Sequence, residues 1–213
     1  MTRLWIVGGS GCALEVWAVA RALELPVAGF VNLSPTVEFD PEGLAVRAET
    51  EFLASARPEQ EVVTLAIGAP RIRARAAKAF AARGLGFRTL VHPSAIVGPR
   101  CTVGEGSVLM AGAVLETHVT LGAHTLVNVG ATIAHEGVTG DHTSLGPGVH
   151  LAGRVRVGSR CDLGVGAVAR PGVTIGDDVV VGAGAAVVAD LSPGGTYVGV
   201  PARRLVRRGT PHS

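Results

Sequence analysis

Two patterns of apolar positions follow one another along the 213-residue chain. Up to about residue 90, short apolar runs alternate with helical ones. Leu4-Trp5-Ile6-Val7 reads as a buried strand, Gly8-Gly9-Ser10-Gly11 as the turn after it, and Ala13 to Leu23 as an apolar helix. Val27-Ala28-Gly29-Phe30-Val31 is a second strand. Val62 to Ile67 is another, closed by Gly68-Ala69-Pro70 and followed by a helix through about Ala82. Strand–helix alternation predicts a small parallel sheet. A Gly-rich turn between the first strand and first helix is where a phosphate can meet backbone N–H groups and the helix dipole.

Beyond residue 91 the spacing changes to six. Counting from Val97 in steps of six to Val187, fourteen of sixteen positions hold Val, Leu or Ile; Thr139 and Ala169 are the exceptions. The next position is Gly in nine cases, from Gly98 to Gly182, and two residues before each aliphatic stands a small side chain, from Ala95 to Ala185. Period six is neither helical nor simple alternation. It predicts stacked coils made of short strands and two-residue corners, with the following Gly taking backbone angles that other residues resist. The aliphatics, Leu145 and Leu163 among them, should form an interior column. Neighbours two residues on, such as Pro147 and Val165, should face outward.

Composition sharpens the division. Seven of the eight aromatics precede residue 88, and Tyr197 is alone after it; twenty-one of thirty glycines lie between 91 and 200. Two domains meeting near His92-Pro93-Ser94 are the simplest reading. A net charge of +2 is too mild to imply a nucleic-acid or membrane partner. Arg203, Arg204, Arg207 and Arg208 leave room for a local anion. The absence of a long apolar run or leader, and three cysteines, predict a cytoplasmic protein. Cys101 and Cys161 are sixty residues apart, more than three coils and thus ~15 Å on strand spacing. They read as packing residues, since a disulfide needs Cα atoms within about 7 Å.

The repeat resembles the left-handed parallel β-helix of hexapeptide acyltransferases, with three hexapeptides per triangular coil, and Gly199-Val200-Pro201-Ala202-Arg203 resembles the family's exit from that helix. Its left hand is implied by the resemblance alone. A Gly-rich βα unit ahead of it is similar to the acetyltransferases of nucleotide-linked amino sugars and the related sialic acid O-acetyltransferases. The expected organisation is a Rossmann-like, nucleotide-sugar-binding α/β domain at 1–91, a β-helical acyltransferase domain at 92–198, and a tail at 199–213. The resemblance implies a homotrimer that uses acetyl-CoA and no metal. It also implies that Ser10, Gly11, Cys12 and Asn32 touch the nucleotide sugar; Cys12 stands where His is common, and Asn32 where Asp is. Ser144, Val165 and Ala183 would line coenzyme A, with Arg170, Arg203 or Arg204 as candidates for its phosphates. As an NAD signature the turn is incomplete, with Leu14 in place of the third Gly and Asn32 in place of the ribose-binding acid.

Transfer of an acyl group from a thioester needs a base near neutral pH. Of His118, His124, His135, His142 and His150, His135 alone is followed by an acid, Glu136; Asp141-His142 is the reversed competitor. Ile133-Ala134-His135-Glu136 also matches the family's catalytic pair, with Asn128 at its upstream Val-Asn position. A backbone N–H at Gly153, eighteen residues on, would steady the oxyanion. Zinc, held on related helices by a His-x4-His pair, is not expected, because consecutive histidines here are six, eleven, seven and eight residues apart. N-acetylation of a nucleotide-linked amino sugar is the leading expectation. O-acetylation of sialic acid or another sugar hydroxyl, and a non-catalytic trimeric sugar-nucleotide binder, are the alternatives.

Overall fold

The computed structural model describes residues 2–34 and 43–206; Arg207 and Arg208 lie outside these. The N-terminal half holds β1 (Arg3–Val7), α1 (Gly11–Ala22), β2 (Val27–Asn32), β3 (Ala45–Ala48), α2 (Glu49–Ser55), β4 (Glu61–Leu65), α3 (Pro70–Ala81) and β5 (Gly86–Phe87). The sheet is parallel throughout, in the order β3-β2-β1-β4-β5. Strand order reverses between β1 and β4, so the carboxyl ends of these two strands open the crevice in which such sheets hold ligands. β3, α2 and β5 are additions to the sequence expectation. Each is short and depends on neighbours: β3 hangs on β2, β5 on β4, and Phe52 of α2 fills a core with Trp5, Leu65 and Phe80.

From Leu90 the chain winds into a parallel β-helix with three faces. Face I begins at Leu90–Val91, face II at Ile96–Val97 and face III at Thr102–Val103. Each strand pairs with the one eighteen residues on, as in Leu115 with Ile133, Leu121 with Thr139 and Val127 with Leu145. The ladder of face I continues past residue 198: Thr196–Val198 lies along Val180–Val181, and Arg203–Arg204 turns back antiparallel to it. The helical sheets thus take in residues on both sides of the expected 92–198 limits.

The interior column is buried from Leu109 to Val187, including Leu145, Leu163, Thr139 and Ala169. Its first members depart from expectation. Val97 is 41% exposed and Val103 half-buried, because the first turn has no turn beneath it. Cys161 is buried, Cys101 half-buried in the same open turn, and all three cysteines are free.

The role of the repeating glycine is also corrected. Every sixth residue from Arg100 to Gly184 has positive φ, between 54° and 75°, and that position lies three after the aliphatic, not one. It holds Arg100, His118, His124, Glu136, His142, Arg154, Arg160 and Asp178 as well as glycines. The glycine directly after the aliphatic is required for space. A Cβ on Gly98 would strike the Glu116 carbonyl oxygen, and one on Gly122 the Asp141 backbone nitrogen, each in the next coil.

The two halves share a core. Leu4, Ile6, Val16, Val19 and Phe30 pack with Leu90, Val108, Met110 and Leu126 of face I. The resulting seam determines which helix surface is closed and which remain open.

Candidate active site

The three edges of the prism differ in chemistry. Between faces I and II the outermost pairs are Ala111-Gly112, Val129-Gly130, Pro147-Gly148, Val165-Gly166 and Ala183-Gly184, an apolar edge on which Val165 is 57% exposed. Between faces II and III stand Thr117-His118, His135-Glu136, Gly153-Arg154 and Pro171-Gly172. Between faces III and I stand Ala123-His124, Asp141-His142, Ser159-Arg160 and Asp177-Asp178, and this edge lies under the N-terminal half.

His135 is open to solvent and its Nδ1 lies 3.5 Å from Glu136 Oε2. Arg154 holds the same carboxylate oxygen from 3.7 Å, and the His135 backbone N–H donates to Glu116 Oε2 at 3.1 Å. Glu116 and Arg154 escaped the sequence reading, being one coil away and exposed. Gly153 packs its backbone against the ring: a Cβ there would overlap His135 Nε2. Among the described residues no acceptor stands against the Gly153 N–H. His150, on face II, meets the Thr132 hydroxyl at 2.9 Å.

The histidines of the seam edge are differently engaged. His124 and His142 stack with ring centroids 5.0 Å apart and 5° between planes, and Phe87 meets His124 edge-on at 4.5 Å. The Nδ1 atom of each is buried without a hydrogen-bond partner among the described residues. Burial first, then His124 and Arg73, pushes the His142 pKa down to about 4; burial and Arg73 also lower that of His124. Asp141 is committed elsewhere, since its Oδ1 accepts the Ala123 N–H at 2.8 Å.

Two of the cavities along the N-terminal half take in expected acceptor residues. One, of about 270 Å³, is bounded by Gly8, Gly9, Ser10, Asn32 and the stretch Ala66 to Ala69, at the carboxyl ends of β1, β2 and β4. The other, of about 240 Å³, lies between α1 and face I, with Cys12, Glu15, Asn128, Ser144 and Asp162 in its wall; Gly68 borders both. Ser10, Cys12, Asn32, Asn128 and Ser144 are therefore gathered here. Gly11 is not: it borders neither cavity, and a Cβ there would meet nothing within 4 Å. Gly8 and Gly9 are the spatially required glycines. Gly8 has φ +153° with the Ala66 carbonyl where a side chain would begin, and Gly9 backs onto the Asn32 amide.

Ser144 also joins the two halves of the chain. Its buried hydroxyl donates to the Gly68 carbonyl at 2.8 Å and accepts from Arg73 at 3.0 Å, so it spans the seam. Burial pushes the Cys12 thiol up to about 11, which keeps it protonated at neutral pH. Asp162 is half-buried, and burial raises its pKa. Val165 and Ala183 stand outward on the apolar edge, and neither cavity is bordered by His135. Within one chain, then, the His135-Glu136 pair and the cavity residues occupy separate edges.

The family described as hexapeptide repeat of succinyl-transferase matches residues 154–189. No curated protein matches the chain. Solved structures do. The acetyltransferase domain of PglB from Neisseria gonorrhoeae FA1090 is 34% identical with a TM-score of 0.89, covering 96% of this chain and 100% of that one. The chain belongs to the hexapeptide-repeat, left-handed β-helix sugar acetyltransferases. PerB from Caulobacter crescentus, solved in complex with CoA and GDP-perosamine, is 36% identical with a TM-score of 0.90 over 97% of this chain and 98% of that one. WeeI from Acinetobacter baumannii AYE is 25% identical, with a TM-score of 0.87 over 96% and 100%. As a member of this family the chain is an acyltransferase, an acetyl-CoA-dependent sugar acetyltransferase. Among the described residues no cluster of His, Cys, Asp and Glu could hold a metal ion, and no helix is long and apolar enough to cross a membrane.

Proposed function

We propose that the chain transfers an acetyl group from acetyl-CoA to the amino group of a nucleotide-linked amino sugar, with His135 as general base. The observation that carries this reading is the fit of His135 between Glu136 and Gly153: the ring is held on both sides yet open to a substrate. Glu136 accepts from Nδ1 and stabilises the imidazolium, leaving Nε2 to take the proton. A 3.5 Å separation is ordinary for such a pair before substrate binds. The amine lone pair attacks the thioester carbonyl, and a C–N bond forms as the π electrons move to oxygen. The unengaged Gly153 N–H meets this oxyanion. Collapse breaks the C–S bond, coenzyme A leaves as the thiolate, and Nε2 keeps the proton lost by nitrogen until it is handed on.

The nucleotide end of the acceptor belongs in the cavity beside Gly8 to Ser10 and Asn32. There the N-terminus of α1 and the N–H groups of Gly9 and Ser10, which have no acceptor among the described residues, suit a diphosphate. The sugar belongs in the adjoining cavity with Cys12 and Asn128. Since His135 borders neither cavity, a second copy must complete the site. The exposed apolar edge suits contact with the His135 edge of a neighbour, and three such contacts close a homotrimer. Coenzyme A would run along that junction past Val165 and Ala183. PerB supports both substrates, having been solved with CoA and GDP-perosamine.

Incubation with acetyl-CoA and UDP-, GDP- and dTDP-linked amino sugars, read by mass spectrometry, tests the proposal. It requires one acetyl group on the sugar nitrogen of at least one acceptor. Acetylation confined to hydroxyls, or absent throughout, contradicts it.

A further inference from the structure

Arg73 is the one basic residue of α3 that the fold buries. Arg71, Arg75 and Lys78 reach solvent, whereas Arg73 is wholly buried. Its Nε donates to the His124 carbonyl at 2.8 Å. Nη1 donates to the carbonyls of Ile67 and Gly68, and Nη2 to the His142 carbonyl at 2.7 Å and Ser144 Oγ at 3.0 Å. A guanidinium has five N–H donors, and here five acceptors meet them. Among the described residues, no carboxylate lies within ion-pair distance of it. Burial without such a partner pulls its pKa down to about 10, so it still carries its charge at neutral pH. A buried cation that lacks an anion is costly, and the fork alone does not explain why the charge is retained.

The acceptors show what the charge serves. The carbonyls of Ile67 and Gly68 belong to peptide groups whose N–H atoms are those of Gly68 and Ala69, and neither N–H has an acceptor among the described residues. A cation on the carbonyl polarises the peptide and strengthens the opposite N–H as a donor. Those two peptides border the cavity beside the N-terminus of α1, and Gly68 is also the wall shared with the second cavity. Ser144 grips the same Gly68 carbonyl.

We infer that Arg73 is a positioning residue for the acceptor, fixing Gly68 between the cavity for its diphosphate and the cavity for its sugar, and directing the Gly68 and Ala69 N–H groups at the anion. The inference rests on the proposed assignment of these cavities to a nucleotide sugar. Arg73 touches neither substrate, and none of its five hydrogen bonds reaches the His135 edge or the apolar edge. Its loss should therefore impair use of the acceptor and spare use of acetyl-CoA.

The test compares Arg73→Met, Arg73→Lys and Ser144→Ala by steady-state kinetics with each substrate varied in turn, together with hydrogen exchange of the free proteins. Arg73→Met should raise the acceptor KM by at least about tenfold, the equivalent of one charge-assisted hydrogen bond. Its acetyl-CoA KM should stay within about twofold, a shift below 0.5 kcal/mol. The amide of Ala66, which donates to the Val7 carbonyl, and that of residue 73, which donates to the Ala69 carbonyl, should exchange faster while those of 150–187 do not. Arg73→Lys keeps the charge without the fork and should fall between. Faster exchange of the Ala66 and residue-73 amides with an unchanged acceptor KM would make Arg73 merely structural, and an equal rise in the acetyl-CoA KM would also overturn the inference. Should Arg73→Met fail to fold, Ser144→Ala decides: a raised acceptor KM supports the clamp, and an unchanged one, or an effect on acetyl-CoA instead, contradicts it. A wild-type chain that acetylates none of the panel sinks the proposed function. In that event calorimetry with UDP and GDP decides Arg73, because equal affinity in wild type and Arg73→Met, which removes the charge, refutes the anion role.

Discussion

Two edges of one prism carry an acid beside a histidine, and they have opposite fates. On the edge between faces II and III, His135 is exposed, the Glu136 carboxylate is also met by Arg154, and a glycine one coil on leaves room at the ring. On the edge between faces III and I, Asp141 is committed to a backbone N–H, and His142 stacks on His124 beneath the N-terminal half. The residues are nearly the same and sit on equivalent turns. What differs is burial and prior commitment. A base needs a free nitrogen at a reachable place, and a packed imidazole with a lowered pKa serves as an aromatic wedge.

The comparison can be broken most severely at Gly153. Gly153→Ala places a methyl group where the His135 ring lies, and displacement of a catalytic group by about 1 Å costs on the order of 10²-fold in turnover. The fall should appear in kcat with little change in melting temperature; unchanged kcat would remove Gly153 from the site. Next in size are Leu145→Ala and Leu163→Ala, which should each cost ~2–5 kcal/mol in denaturant unfolding, since both are closed inside the column. A loss below about 1 kcal/mol would mean that the coil collapses around the gap.

The seam edge has its own signature in pH. The folded chain resists protonating His142 until about 4, whereas the unfolded chain does so near 6.5. Between those values the unfolded state binds more protons, so stability rises with pH. The contribution is complete above 6.5, is lost as pH falls toward 4, and changes no further below. His142→Asn, which tolerates the positive φ of this position, should flatten the melting-temperature profile across that window. An unaltered slope would place the titration elsewhere. The smallest effect concerns Thr139, whose Oγ1 is buried without a hydrogen-bond partner among the described residues. Thr139→Val should leave melting unchanged or raise stability by up to about 1 kcal/mol; a clear loss would reveal a partner for the hydroxyl.

The repeat is legible because Val, Leu or Ile stays in register in fourteen of sixteen hexapeptides from Val97 to Val187, a demand made by every coil on the next. Its ends were not legible, since Val97 looks like Leu145 in sequence and differs only in having no coil below it. The glycines were visible, but their reason was misplaced. Close approach of coils and positive φ fall at different positions, and the second tolerates His, Glu, Arg and Asp. His135-Glu136 could be found as adjacent letters. Glu116, Gly153 and Arg154 reach the same place only through the eighteen-residue coil. Arg73 was hidden most completely, because an arginine on an amphipathic helix reads as a solvent contact. Only the docking of α3 onto His124, His142 and Ser144 buries it.

The contrast between the two edges reduces to one paired measurement of kcat, with acetyl-CoA and whichever amino sugar proves to be the acceptor, in His135→Ala and His142→Asn. His135→Ala should lose ~10²–10⁴-fold, the usual worth of a general base, while His142→Asn stays within about tenfold of wild type at pH 7. A near-wild-type His135→Ala beside an inactive His142→Asn would move the base to the seam and contradict the account.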